Sequence, residues 1–332
     1  MSPTPERIFV IGSNSFSGAS FVAHALAGGA EVMGSSRSPE PSQVFLPYRW
    51  MPHDRFRFHQ LDLNHDLPKL MAVMDDFKPD YVVNFAAQSM VPQSWKAPAD
   101  WFMTNVVSMV RLHDELRTRS YMKKYVQIST PEVYGSTQGS IREDAPYNPS
   151  TPYAVSKAAC DMSLMTFVKA YNFPVVFTRA ANVCGPGQQL YRIIPRTVFS
   201  ILAGEKLKLQ GGGTSVRSFI HMGDVSEGTL LAARRGKPGD IFHLSTDRRI
   251  SIRALVEEIC RQMKVDFNQH VEVAEARLGL DAAYLLDWSK ARTELGWAPK
   301  ISLEQIVTET VDWMKTRWEE IRKQPLDYIH KP

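Results

Sequence analysis

The chain has 332 residues, 44% of them hydrophobic and 22% charged, with a formal net charge of +4. That composition belongs to an ordinary globular protein of one large or two modest domains and excludes disordered and fibrous classes. Lys and Arg are dispersed among acids, so neither a nucleic-acid patch nor a membrane surface is expected. The three cysteines, Cys160, Cys184 and Cys260, have no CxxC spacing. This argues against a disulfide framework or a metal site and for a reducing compartment. With no leader pattern and no apolar run of membrane-spanning length, the expected location is the cytoplasm.

Arg7–Ile11 reads R-I-F-V-I, a buried strand. It runs into Gly12-Ser13-Asn14-Ser15-Phe16-Ser17-Gly18, and an amphipathic helix is predicted over 19–27. Strand, glycine turn and helix open a βαβ unit whose amides and helix N-terminus cradle a pyrophosphate. Ser15 holds the middle position, where it narrows the approach and offers a hydroxyl hydrogen bond. The second strand is predicted over 30–34, and nucleotide selectivity is read at its end. There the chain reads Ser35-Ser36-Arg37-Ser38, with no acid before Glu40. Hydroxyls and a guanidinium suit a 2′-phosphate, so NADP is preferred, with NAD as the alternative.

Residues 39–54 form a long loop whose aromatics, Phe45, Tyr48 and Trp50, imply packing or function. Phe56–Gln60 is the third strand. Asp62 and Leu63 follow where an adenine contact would lie, although an Asp at a strand end also caps helices. A helix over 65–77 and a strand over 80–85 lead to Ala86-Ala87, small enough to admit a cofactor. Gln88 and Ser89 continue into the crevice. A long helix is predicted over 98–120 and a fifth strand over 124–129. Ser129, Thr130 and Glu132 stand at its carboxyl end, followed by a proline-broken loop and S-T-P-Y-A-V-S-K. Pro152 suits a first helical turn. Tyr153 and Lys157 are four apart and share a helix face. The ammonium would lower the phenol's pKa and make it a usable acid/base.

A sixth strand over 174–178 ends in R-A-A-N-V-C-G-P-G, residues 179–187. Strands alternate with helices up to about residue 180, the pattern of an α/β Rossmann fold with a doubly wound parallel sheet. Ligands of such sheets sit outside the carboxyl ends of the strands, where all these flagged residues lie. The expected division is a cofactor domain over 1–185 and a smaller mixed α/β substrate lobe over 186–332, with short segments free to return to the first. The lobe is predicted to hold helices over 193–203, 224–234, 252–263 and 303–318 and strands over 207–210 and 240–244, with Arg217 standing before an apolar Phe219-Ile220.

Together G-S-N-S-F-S-G, N-F-A-A-Q-S, T-N-V, S-T-P-E-V-Y-G, Y-A-V-S-K, R-A-A-N-V-C-G-P-G, V-R-S-F-I-H-M-G-D-V and R-L-G-L-D-A-A-Y-L-L-D resemble the extended short-chain dehydrogenase/reductases, and within them the nucleotide-sugar 4,6-dehydratases. The resemblance implies that Tyr153 removes the proton of the sugar C4 hydroxyl while C4 delivers hydride to the nicotinamide. Lys157 would tune Tyr153 and bond the nicotinamide ribose, and Thr130 would bond the C4 oxygen. Glu132 would remove the C5 proton before water leaves C6 and the hydride returns there. Related 4-epimerases generally lack this glutamate; epimerisation or a 5,6-dehydration is the alternative chemistry, and a non-catalytic cofactor-binding protein the alternative class. Ser89 is assigned to the substrate, and Asn182, Arg217 and Arg277 to its diphosphate. A homodimer through a four-helix bundle, built from the helices over 98–120 and 152–171, is also implied. Pro131 departs from the dTDP-glucose type, which has an Asp there as acid. Met90, Ser218-Phe219 and Ala283 depart from the usual pocket residues, so base and sugar stay open.

Overall fold

A computed structural model describes residues 5–137, 139–275 and 285–331. Its centre is a seven-stranded parallel sheet. The strands are β1 (Arg7–Ile11), β2 (Glu31–Ser36), β3 (Phe56–Gln60), β4 (Tyr81–Asn84), β5 (Lys124–Ile128), β6 (Val175–Ala180) and an edge strand, Ile241–Leu244. Their spatial order is Ile241–Leu244, β6, β5, β4, β1, β2, β3. The order reverses between β1 and β4, and the crevice of a doubly wound sheet opens at such a point.

Residues alternate between the two faces, because successive strand side chains point opposite ways. Ile8, Val10, Val83, Val126 and Val176 face one core with helix α1 (Phe16–Ala27) and helix Met222–Arg235. Phe9, Ile11, Val82, Tyr125, Val175 and Phe177 face the other, with helix α2 (Leu67–Phe77), helix Ser108–Leu116 and helix Pro152–Tyr171. Both faces being covered, the central strands β1 and β4 are almost wholly apolar, whereas β3 at the edge carries Arg57, His59 and Gln60.

The chain does not leave this domain for good after residue 185. Helix Met222–Arg235 packs on α1, and Ile241–Leu244 pairs with β6. The remaining elements form a second lobe. Helices Ile193–Ala203, Ile252–Met263 and Leu303–Thr316 share a core around Ile194, Val198, Ile259, Val307 and Met314. Short ladders border it: Asn182–Cys184 beside Phe219–His221, Val216–Arg217 beside Ile250–Ser251, and Leu207–Gln210 beside Val271–Ala274.

The long helix and the aromatic loop differ most from expectation. The long helix ends at Leu116, because residues beyond it turn to bring the Lys123 N–H onto the Asp80 carbonyl (2.8 Å). Its middle, Met103–Val107, is a π turn between Pro98–Phe102 and Ser108–Leu116. The loop over 39–54 contains two short 3-10 turns with Val44, Leu46 and Tyr48 buried. The Trp313 indole N–H donates to the Val44 carbonyl (3.1 Å), tying this loop to the second lobe. Among the described residues no helix is long and apolar enough to cross a membrane.

Candidate active site

The turn after β1 is closed tightly. Gly12 has φ +82°, and a Cβ there would lie 2.6 Å from the Ala86 nitrogen. A Cβ on Gly18 would lie 2.2 Å from the Gly12 carbonyl oxygen. Ser15 caps α1: its hydroxyl accepts from the Gly18 N–H (3.0 Å) and donates to the Gly12 carbonyl (2.8 Å). Its proton therefore closes the turn and is not left over for a phosphate, which corrects the sequence expectation. Ser13 and Phe16 are buried beneath, while Ser17 is half-buried.

Asn14 joins this turn to the end of β2, which runs two residues further than predicted. The Asn14 N–H donates to Ser36 Oγ (3.0 Å), and its amide to the Ser38 carbonyl (3.1 Å). Tyr48 donates to Asn14 Oδ1 (3.1 Å) or to Glu40 Oε1 (2.8 Å). The aromatic loop thus buttresses the selectivity corner where half-buried Arg37 stands. Asp62 Oδ1 accepts from the Asn64 N–H (2.8 Å), making a local turn. The Leu63 side chain is buried in the sheet core, so it offers no side-chain contact in the crevice. Half-buried Ala86 and Ala87 follow β4, and Ser89 is exposed. The Gln88 backbone is clamped by Asn105, which accepts from its N–H (2.9 Å) and donates to its carbonyl (3.0 Å) and to Ser156 Oγ (2.9 Å). Asn105 lies in the π turn, a frequent device at functional sites. The T-N-V motif was its signal in the sequence. These residues fit a pyridine dinucleotide: a glycine-lined helix N-terminus suits a pyrophosphate, and hydroxyls with Arg37 flank the end of β2.

Helix Pro152–Tyr171 is capped by Thr151, whose hydroxyl accepts from the Ala154 N–H (3.1 Å). Tyr153 and Lys157 in its first turns are both buried. The Tyr153 phenol shares a hydrogen bond with Thr130 and lies in the field of Glu132. Three of the predicted catalytic groups therefore converge at the carboxyl end of β5. Glu132 sits in the short turn Pro131–Tyr134, where its N–H donates to Thr130 Oγ1 (3.3 Å). The expected lowering of the phenol by Lys157 does not hold here. Burial raises Tyr153 above the usual phenol range, Glu132 adds to that, and the Thr130 hydrogen bond opposes it. Lys157 instead donates to the Ile128 carbonyl (2.7 Å), and burial lowers its own pKa.

Behind these groups lies a buried polar network absent from the sequence reading. Asp161, one turn beyond Lys157, accepts from Arg179 at the end of β6 (2.9 Å), with both side chains fully buried. Ser129 donates to the same carboxylate. Arg179 also donates to the Tyr134 and Tyr147 hydroxyls. Tyr134 meets His243 Nε2 (2.8 Å), and His243 Nδ1 meets the Asp287 carbonyl (3.0 Å). A carbonyl accepts only, so Nδ1 carries the proton and Nε2 accepts from Tyr134. Burial and the Arg179 charge push His243 down to about 3, so it is neutral. The network locks β5, β6, the Tyr153 helix and the edge strand into one unit. A lone Asp and Arg in otherwise apolar stretches were its signal in the sequence.

In the second lobe, Asn182 lies opposite Phe219 and its N–H donates to the Ser218 carbonyl (3.1 Å). Half-buried Arg217 ends the preceding strand, Val216–Arg217, one residue before Ser218. Arg277 and Ala283 lie outside the described residues.

Fold and site together define an extended short-chain dehydrogenase/reductase, an enzyme class that uses a nicotinamide cofactor. A family profile described as GDP-mannose 4,6 dehydratase matches residues 9–310, and the chain belongs to that family. It is 31% identical over 331 residues to a dTDP-glucose 4,6-dehydratase of Streptomyces antibioticus, covering 96% of each chain. The crystal structure of a dTDP-glucose 4,6-dehydratase from Streptomyces venezuelae, with NAD bound, matches with a TM-score of 0.86 and 30% identity, covering 94% of this chain and 98% of that one. A UDP-glucose 4-epimerase from Thermotoga maritima matches with a TM-score of 0.84 and 26% identity, covering 94% and 99%.

Proposed function

We infer that the chain works as a nicotinamide-dependent nucleotide-sugar 4,6-dehydratase that converts a nucleoside-diphosphate sugar to its 4-keto-6-deoxy form. The observation that carries this reading is Glu132 beside Thr130 and Tyr153 in one cluster at the end of β5. A bound nicotinamide supplies the hydride acceptor for C4 and the hydride donor for C6. Tyr153 takes the C4 hydroxyl proton, and Thr130 holds the same oxygen. The 4-ketone acidifies C5–H, and Glu132 removes that proton. Pro131 has no proton to give, so Glu132 passes the proton on to the departing C6 hydroxyl, directly or through a water, and water leaves; once C6 is reduced, C5 takes a proton from solvent through Glu132. Asn182, Arg217 and Arg277 hold the diphosphate, and Ser89 contacts the sugar nucleotide. Gly12 through Gly18, Asp62, the Leu63 backbone, Ala86, Ala87 and Gln88 line the dinucleotide, with Ser36 and Arg37 selecting NADP. Because epimerases share this fold, Glu132 is what separates the two chemistries.

The test is mass spectrometry of the protein with NADP and a panel of GDP-, dTDP-, UDP- and CDP-sugars. Loss of one water from one member, with solvent deuterium entering at C5, is expected. A product of unchanged mass would mean epimerisation and overturn the reading. Glu132→Gln should lose dehydration while retaining C4 oxidation; dehydration at the wild-type rate would remove Glu132 from its role.

Two further features belong to this reading. Phe102, Met103 and Val107 on one helix and Val155 and Met162 on the other are exposed. Such a stripe on the two helices of the expected bundle favours a homodimer buried through them. The three thiols, all free and buried, suit the reducing cytoplasm.

A further inference from the structure

After the last helical turn, Trp318–Ile321, the chain does not run off into solvent. The Leu326 carbonyl and the Asp327 carboxylate accept from Arg196 of the second lobe (2.9 and 3.4 Å). The Tyr328 ring packs edge-on against Tyr191 (5.6 Å) and lies within the field of Arg37. His330 stacks on buried Trp101 (5.1 Å) and meets Asp100 (2.7 Å). The Lys331 carbonyl accepts from Gln88 Nε2 (2.6 Å), and its ammonium donates to Ser38 Oγ (2.9 Å). Residues 326–331 thus reach from the second lobe to the ends of β4 and β2, where the crevice opens.

We propose that this segment is a strap over the dinucleotide crevice and that Lys331 is a specificity-determining residue, a second cation beside Arg37 for the 2′-phosphate of NADP. The proposal rests on the NADP reading above. A 2′-phosphate carries close to two negative charges, and one guanidinium among hydroxyls leaves it under-neutralised. Lys331 already sits on Ser38, one residue from Arg37 and two from Ser36. The Gln88 hydrogen bond and the His330–Trp101 stack fix the backbone from which it reaches. An ammonium on a flexible stem can move to a phosphate oxygen without disturbing that anchor. NAD, with a 2′-hydroxyl there, gains nothing from it.

Calorimetric titration of the full chain with NADP+ and with NAD+ tests this. Lys331→Gln should weaken NADP+ about fivefold, the scale of an exposed ion pair, and leave NAD+ unchanged. Lys331→Arg should restore the preference, and added salt should erode it. An unchanged ratio in Lys331→Gln, with a wild-type protein that prefers NADP+ and loses that preference in Arg37→Ala, would overturn the role of Lys331 alone. Equal losses for both nucleotides would reduce the strap to a structural cover and overturn the specificity. A wild-type protein that prefers NAD+ would sink the NADP reading and this proposal with it.

Discussion

Burial decides the chemistry of single residues here more than neighbouring charge does. Tyr153 illustrates it: desolvation outweighs the Thr130 hydrogen bond. Thr130→Val should therefore raise the phenol further and lower kcat by about a hundredfold, the usual worth of a positioned acid/base group, as measured in single-turnover C4 oxidation. Asp161 and Arg179 are a fully buried pair. Removing one partner leaves an uncompensated charge, so Asp161→Asn should cost about 3–5 kcal/mol in a urea titration. The double change Asp161→Leu, Arg179→Met should cost much less, because no charge is then stranded. His113 and His243 are each pushed down to about 3 by burial. The unfolded chain protonates near pH 6.5, so it binds the proton first. Their stabilisation is complete above that pH and is lost as pH falls toward about 3. Each contributes a slope of about 1.4 kcal/mol per pH unit. His113→Gln should flatten the stability curve by one such share, read from denaturation midpoints between pH 6 and about 4.

At the scale of elements, the start of helix Pro152–Tyr171 is legible in the sequence, because Thr151 and Pro152 mark it. The sheet strands were legible for a similar reason: apolar runs broken by Gly, Pro and Asp at each end. The bounds that moved did so through contacts outside the run. Strand β2 continues to Ser36 because β3 pairs with it as far as Gln60. The helix over 98–120 was read as one rod. Its π turn carries Asn105, which clamps the Gln88 backbone, and no spacing rule announces that. The glycine turn sets its own test. Gly18→Ala would press a methyl on the Gly12 carbonyl, with an expected cost of about 1–3 kcal/mol. Loss of bound nicotinamide, followed by absorbance of the released cofactor, should accompany the drop in melting temperature.

At the scale of the molecule, the exposed apolar stripe on two adjacent helices predicts the assembly. Met103 and Met162 are 45% and 59% exposed, more than a monomer surface of this kind needs to leave uncovered. Met103→Glu with Met162→Glu should convert the proposed dimer to monomer in light scattering while leaving far-ultraviolet dichroism intact. A wild-type monomer would end the bundle reading. The lobes, in turn, are not two beads on a string. Residues 222–244 return to the first domain, and the loop over 39–54 crosses to Trp313.

By itself the sequence determined the class of sheet, the order of its strands and helices and the glycine turn, and it singled out Thr130, Glu132 and Tyr153 as candidates that the fold brings together. Each of these is written in local periodicity, in turn residues or in short spacings, because local sterics and one-sided burial act over a few residues. The tertiary structure alone decided the charge states and the long-range partners. The Asp161–Arg179–His243 network, the use of the Ser15 hydroxyl, the turn of Lys157 toward Ile128 and the strap over Gln88 all depend on which distant groups are brought together and how much water is removed from them. Desolvation and hydrogen-bond partnership are properties of the packed interior, and no stretch of chain carries them before it is folded.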